Sequence, residues 1–229
     1  LAPSEMCIRD SDKPQPKTLP MVEVIITHFK PFFLGMLICI AGYVLFYIII
    51  AFSQIYAKSA PSQSEAGYAM GLGFSPQIFT ALLMYSAVSL AISITISGKC
   101  IDKIGRRIWL IWTTVAVAIF GLALPYFLEN GTTVSLFWFL IIGMGLIGMG
   151  YGPLASFLPE LFPTHARYSG ASLTYNIAGL FGASVAAIIA LPLNANYGLK
   201  GVGIYLTLNA VLSLIGLWFI TETRDRQLL

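Results

Sequence analysis

Residues 98–107 read GKCIDKIGRR, and the layout of the whole chain follows from them. Asp102 stands among Lys99, Lys103, Arg106 and Arg107, with Gly98 and Gly105 where a tight polar loop would bend. On either side the chemistry changes abruptly: residues 74–97 and 108–128 contain no Asp, Glu, Lys or Arg. Each run has about the 20 residues that a helix needs to cross a hydrocarbon core. A single charged side chain at the centre of such a helix would cost roughly 2.5 to 3.5 kcal/mol on the insertion scale. The stretch therefore reads as a short charged turn between two membrane spans.

Four further uncharged runs of similar length lie outward from it, at residues 32–53, 134–158, 171–193 and 201–220. The expected fold is all-α, a polytopic membrane protein with six transmembrane helices over residues 31–226. Composition agrees, since 57% of the 229 residues are hydrophobic and 10% charged, with a mean hydropathy of +0.81. That is more apolar surface than a soluble core absorbs. The net charge of +3 is small and the basic residues sit in short clusters beside acids, so nothing supports nucleic-acid binding. Residues 1–20, with mixed charge and no apolar periodicity, read as a disordered lead-in rather than a signal peptide, a composition that a non-native junction would share. In residues 21–30, Val22, Ile25, Ile26 and Phe29 fall at i, i+3, i+4 and i+7, the pattern of a short interfacial helix.

Orientation follows from the basic residues. With the amino terminus in the cytoplasm, eleven of the thirteen Lys and Arg fall inside and only Lys58 and Lys200 outside. Both ends of this segment are thus expected on the cytoplasmic face, as an even number of crossings requires. Cys7, Cys39 and Cys100 show no metal-ligand or disulfide spacing, and His28 and His165 read as isolated residues in polar connections. No metal or cofactor is expected. Small residues recur at packing intervals, Gly145, Gly148, Gly152 and Ser156 in the fourth span, and Ser172, Asn176, Gly179, Ala183 and Ala186 in the fifth. Pro153 removes the N–H that would pair with the Met149 carbonyl, so a kink is expected there.

Two more segments on the expected cytoplasmic face carry an acid with a base. PELFPTHAR, residues 159–167, holds Glu160 and Arg167, with Pro159 and Pro163 placed to stop a helix; TETRDR, residues 221–226, holds Glu222. Together with residues 98–107 these resemble the major facilitator superfamily. The first matches the Gly-x-x-x-Asp-Lys/Arg-x-Gly-Arg-Arg/Lys signature in the copy between its eighth and ninth helices. The others resemble the Pro-Glu-x-x-Pro-x-x-x-Arg and terminal Glu-Thr motifs of its sugar-porter-like branches. Residues 151–182, YGPLASFLPELFPTHARYSGASLTYNIAGLFG, resemble most closely the metabolite:proton symporter family, whose members carry organic acids, shikimate, proline or betaine. The resemblance covers about residues 21 to 226.

It implies the carboxy-terminal half, helices 7 to 12, of a twelve-helix carrier working by alternating access in a bacterial inner membrane. Asp102, Arg106 and Arg107, on a motif that also holds Gly98 and Gly105, would form with Glu160, Arg167 and Glu222 a cytoplasmic network of salt bridges that locks the outward-facing state. The implied partners are a small metabolite, membrane lipid, the amino-terminal six-helix half and a proton as coupling ion. No carboxylate or basic side chain lies within the spans, so a coupling carboxylate would belong to the other half. Carriers of this architecture bind solute near the midplane between halves. From this half the candidates for that cavity are Tyr43, Tyr47, Gln54, Tyr151, Tyr175 and Asn176, whose hydroxyl and amide groups can bond a solute. Tyrosines at span ends also form interfacial belts, and Asn176 could equally bond a neighbouring helix. A six-helix carrier rebuilt by homodimerisation and a non-transporting scaffold are the alternatives. A membrane enzyme is not expected, because no intramembrane acid or base and no HExxH or GxSxG motif is present.

Overall fold

The computed structural model describes residues 20–220; the lead-in and the TETRDR segment with Glu222 lie outside the described residues, as does the side chain of Asp102. A short helix α1, Pro20–Thr27, leads into α2, Phe29–Lys58. Then come α3 (Pro76–Ile104), α4 (Arg106–Glu129) and α5 (Thr133–Glu160). The remaining helical stretch, Arg167–Phe219, is 53 residues long, far more than one bilayer crossing needs. It is two helices. Gly198 interrupts it at φ 67°, ψ −171°, and the Leu193 carbonyl lies 3.3 Å from where a Cβ on Gly201 would sit. Eight residues of continuous helix would separate those groups by about 12 Å. The chain therefore reverses at Gly198, giving α6 (167–197) and α7 (199–219), and six apolar helices cross the membrane.

Local chemistry sets the boundaries. Ser75 caps α3 by accepting from the Ile78 N–H at 3.4 Å, with Pro76 at the first helical position. Thr132 does the same for α5 through the Ser135 N–H at 3.2 Å. Gly105, at φ 98°, makes the bend between α3 and α4. Gly98 does not bend: it lies inside α3, which corrects the expectation of a loop with two glycine turns. A glycine weakens an exposed helix by about 1 kcal/mol but does not stop it, and Pro76–Ile104 is long enough to carry the turn through. Pro159 likewise lies within the last turn of α5, and Pro163, beyond it, marks where the chain leaves the helix.

Apolar side chains left on the outside, such as Met84, Val88, Ile92, Ile119 and Leu122, clothe the bundle in a surface suited to lipid. Since lipid supplies no hydrophobic drive between helices, close backbone approach must hold them together. Gly145, Gly148 and Gly152 of α5 lie against Ser89, Ser93 and Ser97 of α3, so closely that a Cβ on Gly148 would come 2.6 Å from the Leu90 carbonyl oxygen. Gly121 of α4 meets Gly203 and Thr207 of α7, and the Thr207 hydroxyl donates to the Ala118 carbonyl at 3.0 Å. Across α2 and α7, the Ser213 hydroxyl donates to the Leu37 carbonyl at 2.6 Å and accepts from the Ala41 N–H at 3.1 Å. Those two groups would pair with each other in a regular helix.

Two segments are wound as π-helix, Ile48–Phe52 in α2 and Leu180–Ser184 in α6, and α2 packs against the second of them. The Met149 carbonyl freed by Pro153 is also accounted for: the Trp109 indole N–H of α4 donates to it at 3.0 Å.

Candidate functional site

One face of the bundle collects the charged segments. The first turn of α4 follows directly on Gly105, which puts Arg106 and Arg107 at a helix amino terminus, where the dipole opposes cations. Each arginine meets a different source of negative charge. Arg106 is ion-paired with Glu160 at the end of α5, with the two side chains only 23% and 17% exposed. Arg107 donates from Nε to the Leu217 carbonyl at 2.8 Å and from its terminal amine to the Trp218 carbonyl at 3.0 Å. These carbonyls belong to the last turn of α7, where a helix leaves acceptors without internal partners. Residues 98–107 thus reach the ends of both α5 and α7.

Arg167 begins α6, half-buried, and its Nε has no hydrogen-bond partner among the described residues; the same holds for Glu160 Oε2. On this same face the His28 and His165 rings lie 6.4 Å apart, so these histidines are not isolated as their sequence positions had suggested. They are separated by 137 positions along the chain and brought together by the packing of α1 and α6, a relation invisible to local spacing. The described start of α2 and the end of α7 therefore lie on one side of the bundle.

Behind this face lies a cavity of about 310 Å³ between α2, α3, α5 and α6, whose lining includes Tyr43, Phe46, Tyr151 and Tyr175. A second space of about 220 Å³ shares Tyr151, Leu154 and Tyr175 and runs along α5 as far as Pro159, next to Glu160. The Tyr43 and Tyr175 rings pack with centroids 4.8 Å apart at 46°. Tyr43 can lie there because Gly179 and Gly182 of α6 carry no side chain: a Cβ on Gly182 would come 2.6 Å from Tyr43 Cβ. Nothing in the sequence of α2 alone points to that fit.

The six cavity candidates separate. Tyr43, Tyr151 and Tyr175 line the space together. Tyr47 instead donates to the Ala187 carbonyl at 3.4 Å, joining α2 to α6. Asn176 is exposed, donates to the Ser172 carbonyl at 2.8 Å within its own helix, and is not among the residues lining either space. Gln54 is half-buried and lines neither cavity. Tyr47, one turn from Tyr43 and on the same side of the helix, is drawn off to the α6 carbonyl, whereas the π turn at Ile48–Phe52, which lies between Tyr43 and Gln54, changes the register that a regular helix would give Gln54. Reasoning from sequence missed Cys39, Phe46, Leu90 and Ile94 in the lining, since apolar residues in an apolar helix carry no signal of facing a cavity.

Comparison with known proteins agrees with this architecture. Residues 65–229 match the family model described as sugar (and other) transporter. The chain is 88% identical over 217 residues to a Haemophilus influenzae protein named for metabolite transport, covering 95% of this chain and 48% of that one. It is 37% identical over 211 residues to the inner membrane metabolite transport protein YhjE of Escherichia coli, covering 92% and 46% respectively. Identity to the glycine betaine/proline/ectoine/pipecolic acid transporter OusA of Dickeya dadantii is 27% over 208 residues, covering 90% of this chain and 39% of that protein. The chain spans about half the length of the curated relatives it matches. No solved structure matches it.

Proposed function

This chain belongs to the sugar (and other) transporter family of the major facilitator superfamily, and from that premise we propose that it is the carboxy-terminal half of a carrier that moves a small organic acid or zwitterion across a bacterial inner membrane. The solute would occupy the tyrosine-lined cavity, between this half and an amino-terminal one. Residues 98–107, Glu160 and the end of α7 form its cytoplasmic gate, and proton coupling resides in the other half. The proposed orientation has both ends of the segment in the cytoplasm.

The observation that carries this reading is the placement of the Arg106–Glu160 pair. Glu160 follows directly on Pro159, the last α5 residue lining a space that starts at Tyr151 about 12 Å away at the rise of an α-helix, and in the proposed gate the pair closes that end. An ion pair shielded this far costs more to break than a surface pair, yet it can be exchanged for solvation when the face opens. Several interactions broken together can bias a two-state equilibrium between inward-open and outward-open forms.

The test is an accessibility measurement. Ala155 lines this space one helical turn before Pro159. In a carrier with its native cysteines replaced by serine and Ala155→Cys introduced, Glu160→Gln should raise labelling by a membrane-impermeant maleimide from the cytoplasmic side severalfold. Labelling unchanged by Glu160→Gln and by Arg106→Gln would overturn the assignment of the gate.

A further inference from the structure

We infer that the groove between α6 and α7 beside the Gly198 turn is a binding site for an anionic phospholipid, with the phosphate at Lys200 and an acyl chain along α7. The inference stands on the membrane-spanning fold and does not need the transport reading.

The groove holds about 400 Å³, and its walls include Leu193, Ile204 and Leu208, with Tyr197 and Lys200 at one end. A side chain on Gly201 would press on two of the lining residues, since its Cβ would lie 2.8 Å from Tyr197 Cβ and 3.2 Å from Leu193 Cγ. Polarity is confined to the end where the chain turns. Tyr197 and Lys200 flank Gly198, whereas Ile204 and Leu208 lie about 6 and 12 Å deeper than Lys200 at the rise of an α-helix. From there an exposed apolar lane continues along one face of α7 through Leu212 to Ile215. Ile204 to Ile215 spans about 16 Å, the depth of one leaflet of a hydrocarbon core about 30 Å thick.

The charge at the mouth is uncommitted. Lys200 is exposed and makes no hydrogen bond or ion pair with another described residue. Lys58, the other basic residue placed outside by the proposed orientation, is instead held over the Phe79 ring at 5.4 Å from its centroid. A water-soluble anion would meet the Lys200 ammonium but leave the apolar lane unfilled. A phospholipid supplies a phosphate and a chain in one molecule, and the snorkelling reach of a lysine suits the headgroup level. An anionic lipid is favoured over a zwitterionic one, whose own ammonium already balances its phosphate.

The experiment places the full carrier in phosphatidylcholine nanodiscs containing a low, equal mole fraction of phosphatidylglycerol or phosphatidylcholine with a diazirine in the acyl chain. Labelled residues are mapped by mass spectrometry. Phosphatidylglycerol should label the groove segment, residues 193–208, about fivefold more than phosphatidylcholine, with the excess falling as salt is raised. Lys200→Gln should remove the excess and Lys200→Arg keep it, while Lys58→Gln leaves it intact. Equal labelling of the segment by both lipids in the unmodified carrier overturns the inference, because it describes contact with bulk lipid. So does an excess lost equally in Lys58→Gln and Lys200→Gln, which belongs to the net charge of that face. Label on the exposed Ile119 and Leu122 of α4 but none on the groove segment also overturns it, since the groove is then covered by protein, either an amino-terminal half or a second copy. Photolabelling requires no solute, so a carrier that transports nothing leaves each outcome readable.

Discussion

The Trp109 indole shows how one side chain can make a proline tolerable within a membrane span. Pro153 has no N–H to give the Met149 carbonyl, and hydrocarbon offers no water in its place. Trp109, on the neighbouring helix, donates to that carbonyl at 3.0 Å. Interhelical hydrogen bonds in membranes average about 0.6 kcal/mol and reach about 1.7, and an acceptor with no alternative should lie toward the upper end. Trp109→Phe is therefore expected to destabilise the bundle by about 1 to 2 kcal/mol. A double-mutant cycle measured by reversible unfolding in lipid checks the cause. In a Pro153→Ala background the residue 153 N–H can take up the carbonyl, so Trp109→Phe should cost clearly less there. An equal cost in both backgrounds would assign the effect to lost packing. Ser213 is the instructive contrast: the groups it bridges, Leu37 C=O and Ala41 N–H, are each other's ordinary helical partners, so neither depends on Ser213 alone.

At the level of whole helices, α3 and α5 are joined by a seam of small side chains. Gly145, Gly148 and Gly152 on one helix meet Ser89, Ser93 and Ser97 on the other. At Gly148 the obstacle to a side chain is backbone, since a Cβ would lie 2.6 Å from the Leu90 carbonyl oxygen and 3.2 Å from the Ile94 nitrogen. Gly150 points elsewhere, with its nearest neighbour, Thr113 Cγ2, at 3.8 Å. Gly148→Ala should therefore push the helices apart at a cost of about 1 to 3 kcal/mol, while Gly150→Ala should be neutral or stabilise by up to about 1 kcal/mol through helix propensity. Thermal unfolding of the two variants side by side distinguishes a seam from a generally intolerant helix. The glycine half of this seam was legible in the sequence because glycines at i, i+3 and i+7 stand out in an apolar run. The serine half was not, since serines in α3 could as well have faced a pore or their own backbone. The apolar spans themselves were legible because charge is so costly in hydrocarbon. The π turns at Ile48–Phe52 and Leu180–Ser184 left no mark, since they arise from tertiary packing and their residues are ordinary helix formers in lipid. The first of those turns lies between Tyr43 and Gln54 and so bears on whether Gln54 reaches the cavity. The three tyrosines could be found by residue type, but only packing separates them from Tyr47, Gln54 and Asn176.

For the molecule as a whole, the adjacent arginines Arg106 and Arg107 perform separable tasks. Both sit at the positive end of α4, and each is stabilised by joining that end to a different helix: α5 through the Glu160 carboxylate, α7 through the Leu217 and Trp218 carbonyls. The motif read from residues 98–107 suggested acid–base pairing, and the described contacts of Arg107 add a second kind of partner, the oriented carbonyls that a helix carboxy terminus offers. The consequence is a difference between the two arginines that charge alone would not produce. Arg107→Ala removes two hydrogen bonds from the last turn of α7 and should increase amide hydrogen exchange there severalfold, with little change at the end of α5. Arg106→Ala leaves Glu160 in a largely shielded position without its cation and should loosen the end of α5 while sparing the last turn of α7. Arg107→Lys keeps the charge but lacks the planar fork that reaches both carbonyls, so its exchange at α7 should fall between the parent and Arg107→Ala. Exchange rising equally at both helix ends in either alanine variant would mean that the face opens as one unit, and that the two arginines are a single latch rather than two.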